Sequence, residues 1–178
     1  MKRKQKISII LAILSMIIGI VIISLPILKL VNFKRTIFLS FLTIGIFNLV
    51  CFIYTHKDKD LESLYTFIAC TLVAILSIFL NFKKSINSAL VLMLFVALLS
   101  FVRLKKADYY HDRKNKAWII QMATLSIFVL AGLLSSLNLY YTSEIKVLVF
   151  GYFFFINGIL ELVDPLILYL ENLNENRK

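Results

Sequence analysis

The chain has 178 residues, is 60% hydrophobic with 17% charged residues, and carries a formal net charge of +10. A mean hydropathy of +0.87 argues against an ordinary soluble domain. Six apolar runs and their connections take up nearly the whole length, leaving less than the roughly 50 residues that a separate soluble domain needs. The positive charge lies beside the apolar runs, so it points to lipid headgroups and not to nucleic acid.

A helix needs roughly 20 apolar residues to cross the hydrocarbon core of a bilayer. The N-terminal MKRKQK leads into a first apolar run from about Ile7 to Leu30. That run is longer than a signal-peptide core and has no small-residue cleavage site behind it, so it reads as an uncleaved first span. Pro26 lies near its far end, where a missing backbone donor costs least. Span two covers about Ile37 to Tyr54, span three about Leu64 to Phe82, and span four about Ile86 to Leu104. A long basic loop, RLKKADYYHDRKNK, then leads to span five, about Ala117 to Leu139, and span six, about Ile145 to Tyr169. Strands of a membrane barrel would be shorter and alternate in polarity, so these uniformly apolar runs predict helices. Cys51 and Cys70 fall inside spans and read as small apolar residues without a disulfide.

Basic residues set the orientation. One side holds Lys2, Arg3, Lys4, Lys6, Lys57, Lys59, Arg103, Lys105, Lys106, Arg113, Lys114, Lys116, Arg177 and Lys178. The other holds Lys29, Lys34, Arg35, Lys83, Lys84 and Lys146. The richer side is expected to be cytoplasmic, with both termini on it. Trp118 and most tyrosines lie near span ends, where amphipathic rings prefer the interface. The chain thus reads as one all-α, six-helix membrane domain over residues 1–178. Short outer connections predict three antiparallel hairpins, at about 7–54, 64–104 and 117–169.

The hairpins read as copies of one unit. GIVIISLP at Gly19 to Pro26 overlays AGLLSSLN at Ala131 to Asn138, and TIGIFNLVCFIYTHK from Thr43 overlays VFGYFFFINGILELV from Val149 through Gly45 and Gly151. The middle hairpin keeps the hydropathy without the glycines. These features, a glycine-bearing helix ending in proline, a short outer turn, a second glycine-bearing helix, then a basic loop and a Trp opening the next helix, resemble the HdeD family of bacterial inner-membrane proteins. The stretches carrying the resemblance are RLKKADYYHDRKNKAW, AGLLSS, VFGYFFFINGILELV and GIVIISLP…TIGIFNLV. Phe52 stands where the last hairpin has Gly158. The resemblance implies six helices in a bacterial cytoplasmic membrane and a role in acid or envelope stress without an agreed biochemical activity.

Within the spans, Asn157, Glu161 and Asp164 follow i, i+4, i+7 spacing and share one face of span six. Ionisable groups in spans are costly and tend to face the bundle or water. This face therefore reads either as a proton- or cation-responsive site or as a hydrated interfacial patch beside loop lysines, near Pro165, where a break in the regular helix is expected. The repeat overlay puts Arg103 at the position of Glu161, which predicts a contact between them. Asn48 and Asn157, amides in spans two and six, are expected to bond between helices. Ser15 with Gly19, and Cys70 with Ala74, form small-xxx-small pairs, and these and the remaining glycines read as packing surfaces.

His56 with Asp58 and Asp60 mimics a metal site but reads as a solvated loop, and His111 likewise reads as solvent-facing. The sequence contains no P-loop, G-x-S-x-G, H-E-x-x-H or C-x-x-C motif. No catalytic, cofactor or metal residue is therefore expected. The expectation is a small non-enzymatic membrane protein of HdeD type. The alternative is a small transporter or channel with a protonatable site on span six. Expected partners are anionic lipid headgroups and, where the bundle self-associates, further copies of itself.

Overall fold

The computed structural model describes the backbone of residues 3–30, 32–55, 61–82, 84–112, 114, 117–140 and 142–175, with side chains except at 3–5, 164 and 167–175. It is all-helical: α1 (Arg3–Ile27), α2 (Phe33–Thr55), α3 (Leu61–Phe79), α4 (Ser85–Asp112), α5 (Ala117–Asn138) and α6 (Ser143–Glu175). All six are long and apolar enough to cross a membrane. The burial pattern is that of a protein solvated by lipid. Large apolar side chains such as Ile17, Leu72, Leu90 and Leu130 point outward, while Ser15, Ser77, Gln121 and Asn157 are buried. In hydrocarbon, polar groups find partners only inside the bundle. Several hydroxyls bond back to their own helix, as Ser40 does to the Thr36 carbonyl and Thr66 to the Glu62 carbonyl.

Two helices run well past their expected C-terminal ends. The basic stretch after Leu104 continues α4 to Asp112 instead of forming a loop. It contains no proline or glycine, and Lys105, Lys106 and Ala107 are good helix formers, so nothing stops the helix where hydropathy falls. Likewise α6 runs through Pro165 without ending, giving 33 residues, about 50 Å of helix. The break expected at Pro165 does not occur: α6 is continuous there. At the other end of the bundle, α1 closes through Lys29 in the left-handed region, φ 56°, with Leu30 N–H bonded to the Leu25 carbonyl at 3.0 Å. This is the capping geometry that usually takes glycine. The Asn32 side chain then accepts from the Arg35 N–H at 3.1 Å and caps the start of α2.

The helices close into a ring in chain order, α6 returning to α1. The three hairpins exist as chain connections, but the closest packing lies between them: α1 with α6, α2 with α3, and α4 with α5. In each case the second helix of one hairpin meets the first helix of the next, a cyclic pattern consistent with a threefold repeat. The glycines account for it, because all five lie at these interfaces. A methyl group on Gly151 would stand 2.9 Å from the Ile23 nitrogen and 3.0 Å from the Gly19 carbonyl oxygen. One on Gly158 would stand 2.8 Å from the Ala12 carbonyl oxygen. The α1 and α6 backbones therefore touch, as small residues allow. Gly45 faces Cys70 on α3, and Gly132 faces Val96 on α4.

The middle of the ring is filled by phenylalanines. Phe41, Phe95, Phe128, Phe150, Phe153 and Phe154 are almost fully buried. Phe41 lies 4.6 Å from Phe95 and 5.4 Å from Phe154, centroid to centroid, with inclined rings. Phe128 adjoins Phe153 at 5.6 Å. Such edge-on contacts add about 0.5–1.5 kcal/mol each to the burial of the rings.

Candidate functional site

One or two turns from this aromatic layer, toward the end of the bundle that carries both termini, a cavity of mixed polar and apolar lining opens. All six helices line it: Ser8 and Ser15 from α1, Asn48 from α2, Glu62, Ser63 and Thr66 from α3, Arg103 and Lys106 from α4, Gln121 and Thr124 from α5, and Glu161 from α6. Its volume is about 80 Å³. That is room for on the order of five waters.

Arg103 and Glu161, expected to meet, face each other with Asn157 between them. The Arg103 guanidinium donates to the Asn157 side-chain oxygen at 2.7 Å, and the Asn157 amide donates to Glu161 Oε1 at 2.9 Å. The direct Arg103–Glu161 distance is 3.9 Å, beyond hydrogen-bond reach. The side chains are 13% and 32% exposed, so the pair is only partly shielded from water. α4 and α6 are not ring neighbours, so this chain of contacts reaches across the interior. The Asn157 amide also lies 3.5 Å from the Ser15 hydroxyl, which donates to the Phe154 carbonyl at 3.3 Å. Arg103 stacks on Phe128, 4.1 Å from its centroid, so the charged layer rests directly on the aromatic one.

A second pair completes the cavity wall. Lys106 donates to Glu62 Oε1 at 2.8 Å, tying α4 to α3. Among the described residues the cavity thus carries two acids and two bases from three helices.

Asn48 is buried at the wall, but its amide donates to the Ile44 carbonyl at 2.9 Å within α2. That bond lies within α2, whereas Asn157, also expected to bond between helices, does so. Asp164 belongs to the α6 backbone, but its side chain lies outside the described residues. His56, Asp58 and Asp60 are also outside them. His111 is exposed and meets Trp118 edge-on at 5.2 Å. Cys51 and Cys70 are free thiols. Among the described residues, no group of three or more His, Cys, Asp and Glu is arranged to hold a metal.

Sequence reasoning missed Glu62, Lys106, Gln121, Thr66 and Thr124 as neighbours of the site. Glu62 and Lys106 looked like loop-side charges because hydropathy ends the spans before them. A signal was present in span five, where Gln121, Thr124, Phe128 and Gly132 recur at helical spacing and all are buried.

At the opposite end, Lys146 is 6% exposed, donates to the Ser85 hydroxyl at 3.2 Å and sits 6.0 Å from the Phe33 ring centroid. Lys34 donates to the Ile78 carbonyl at 2.6 Å. These lysines join helix ends and have no part in the cavity. Comparison with family models, curated proteins and solved structures finds no match to this chain.

Proposed function

We propose that this integral membrane protein is a non-enzymatic, multi-pass protein of the bacterial inner membrane, of HdeD type, with both termini in the cytoplasm. In this reading it supports acid or envelope stress tolerance through its cytoplasm-facing cavity. The orientation draws on the excess of Lys and Arg at the end carrying the termini. The stress role draws on the resemblance of the hairpin motifs to HdeD. The observation that carries the reading is the Arg103–Asn157–Glu161 relay, bonded across the bundle with Arg103 and Glu161 at the wall of the cavity. Intramembrane ionisable residues are expensive and mark function more often than stability.

The test is survival after an acid shift. A deletion strain is expected to survive less well than the parent, wild-type protein to restore survival, and Arg103→Gln to fail to restore it at equal abundance. Unchanged survival on deletion would remove the stress role.

The alternative is a transporter or channel whose route passes Glu161. It is favoured by the cavity being lined from all six helices, and it requires the phenylalanine layer to part. Vesicles containing the purified chain would then dissipate an imposed pH gradient faster than empty vesicles, and Glu161→Gln would abolish the difference. Equal rates in loaded and empty vesicles would remove this reading.

A further inference from the structure

The end of the bundle opposite the termini holds a buried lysine, Lys146, in the first turn of α6. Its ammonium donates at 3.2 Å to the hydroxyl of Ser85, the first residue of α4. It also lies 6.0 Å from the ring centroid of Phe33, the first residue of α2. Three helix N-termini therefore meet on one lysine. Each brings unpaired backbone N–H groups and about half a positive charge. Lys146 adds to that charge where an acid would offset it.

No acid of the chain balances it. The connections and helix ends on this face carry Lys29, Lys34, Arg35, Lys83, Lys84 and Lys146 against Glu144 alone. Lys83 lies outside the described residues, and its charge has the same sign as the excess. Glu144 is exposed and stands two positions before Lys146, a spacing that does not bring helix side chains together. Among the described residues, no carboxylate lies within ion-pair distance of Lys146. The C-termini of α1, α3 and α5 reach the same face, but carbonyls there already accept from the protein itself. Leu25 accepts from the Leu30 N–H, Ile78 from Lys34, and Leu134 from the Asn138 amide. Donors remain around Lys146. It uses one of three ammonium hydrogens on Ser85, whose own hydroxyl hydrogen stays available. Ser88, one turn deeper on the same face of α4, is fully buried, and among the described residues its hydroxyl has no partner. Buried charges are normally paired and buried hydroxyls normally bonded. An anion with several acceptor oxygens satisfies such a set. Phosphate suits it best, since helix N-termini and lysines bind phosphates. Its oxygens also point out of a single plane, toward three helices, whereas a carboxylate has two oxygens in one plane. The exposed Lys29, Arg35 and Lys84 raise the local concentration of anions at this face.

We propose that the N-termini of α2, α4 and α6, with Lys146 and Ser85 between them, form a binding site for a phosphate group, free or carried by a lipid headgroup. The aromatic layer separates this site from the Arg103 cavity, and the proposal does not depend on the function given to that cavity.

The experiment is thermal unfolding and calorimetric titration of the full chain in an uncharged detergent, at an ionic strength held constant with chloride. The probes are inorganic phosphate, acetate, and micelles doped with phosphatidylglycerol or with uncharged diacylglycerol. Inorganic phosphate, phosphatidylglycerol or both are expected to raise the melting temperature saturably. A response to inorganic phosphate identifies a free phosphate as a ligand, and a response to phosphatidylglycerol alone identifies the headgroup. Acetate is expected to bind at least about tenfold more weakly than the effective probe. Lys146→Gln and Ser85→Ala should each weaken that probe about tenfold or more, the effect of losing one charge-assisted hydrogen bond. Ser85→Ala removes a single hydroxyl and keeps the test open where Lys146→Gln does not fold. No response beyond the chloride and diacylglycerol controls overturns the proposal. Acetate binding as tightly as phosphate overturns it in favour of an unselective anion site. Wild-type affinity in Lys146→Gln, or in Ser85→Ala where Lys146→Gln does not fold, also overturns it by placing the anion elsewhere.

Discussion

Asn157 is the residue on which the polar layer turns. One amide accepts from Arg103 and donates to Glu161, so a guanidinium and a carboxylate from non-neighbouring helices are satisfied together. Removing it takes one hydrogen bond from each charge. Asn157→Leu is expected to lower stability by about 1.5–3 kcal/mol, the range for hydrogen bonds to charged groups, read as thermal unfolding in detergent; an unchanged melting temperature would show that water replaces the amide. Arg103→Glu and Glu161→Arg should each destabilise by a similar amount, while the swapped double variant should recover much of the loss. Singles and double behaving additively would mean the two residues are not coupled. The i, i+4 step from Asn157 to Glu161 was visible in the sequence, and so was the pairing with Arg103 through the repeat. The role of Asn157 as the piece between them was not, because spacing along one helix says nothing of what lies across the ring.

Among elements, the helix seams depend on where the glycines fall. The α1–α6 seam is backbone against backbone at Gly19, Gly151 and Gly158. At Gly45 the nearest atom to an added methyl is the Cys70 side chain, at 3.3 Å. Gly151→Ala is therefore expected to cost roughly 1–3 kcal/mol, as overpacked cores do. Gly45→Ala should be nearly neutral, since about 1 kcal/mol of helix propensity offsets a contact that a side chain relieves. Thermal unfolding of the two variants side by side checks the order; equal losses would contradict the distinction between seams. At the end of α1, Lys29→Gly should stabilise by about 1 kcal/mol, since the left-handed conformation costs a non-glycine residue about that much; a fall in melting temperature would refute it. The glycines were legible in advance as packing surfaces. Which helices they joined was not, because connectivity suggested hairpins and the contact preference lies between them. The extension of α4 past Leu104 was hidden for a related reason: hydropathy reports the lipid boundary, whereas helix propensity runs on through Lys105, Lys106 and Ala107.

Across the whole molecule three layers stack along the bundle axis. A lysine-tied end holds Lys34 and Lys146, an aromatic layer fills the centre, and a cavity bearing charges of both signs faces the end with both termini. Apolar length alone foretold the six crossings, since lipid leaves the backbone little choice but helix. The layering depends on side chains meeting from all six helices and was not readable from any one of them. The account stands on the cavity being wet and reachable from one face only. The direct test places a single cysteine at Thr66 in a chain carrying Cys51→Ala and Cys70→Ala, and treats oriented vesicles with a membrane-impermeant maleimide from each face in turn. Labelling is expected from the face that carries the termini and not from the other, with a companion cysteine at Phe95 unlabelled from both. A Thr66 cysteine that stays unreacted from either face, or that reacts from the opposite one, would contradict the account.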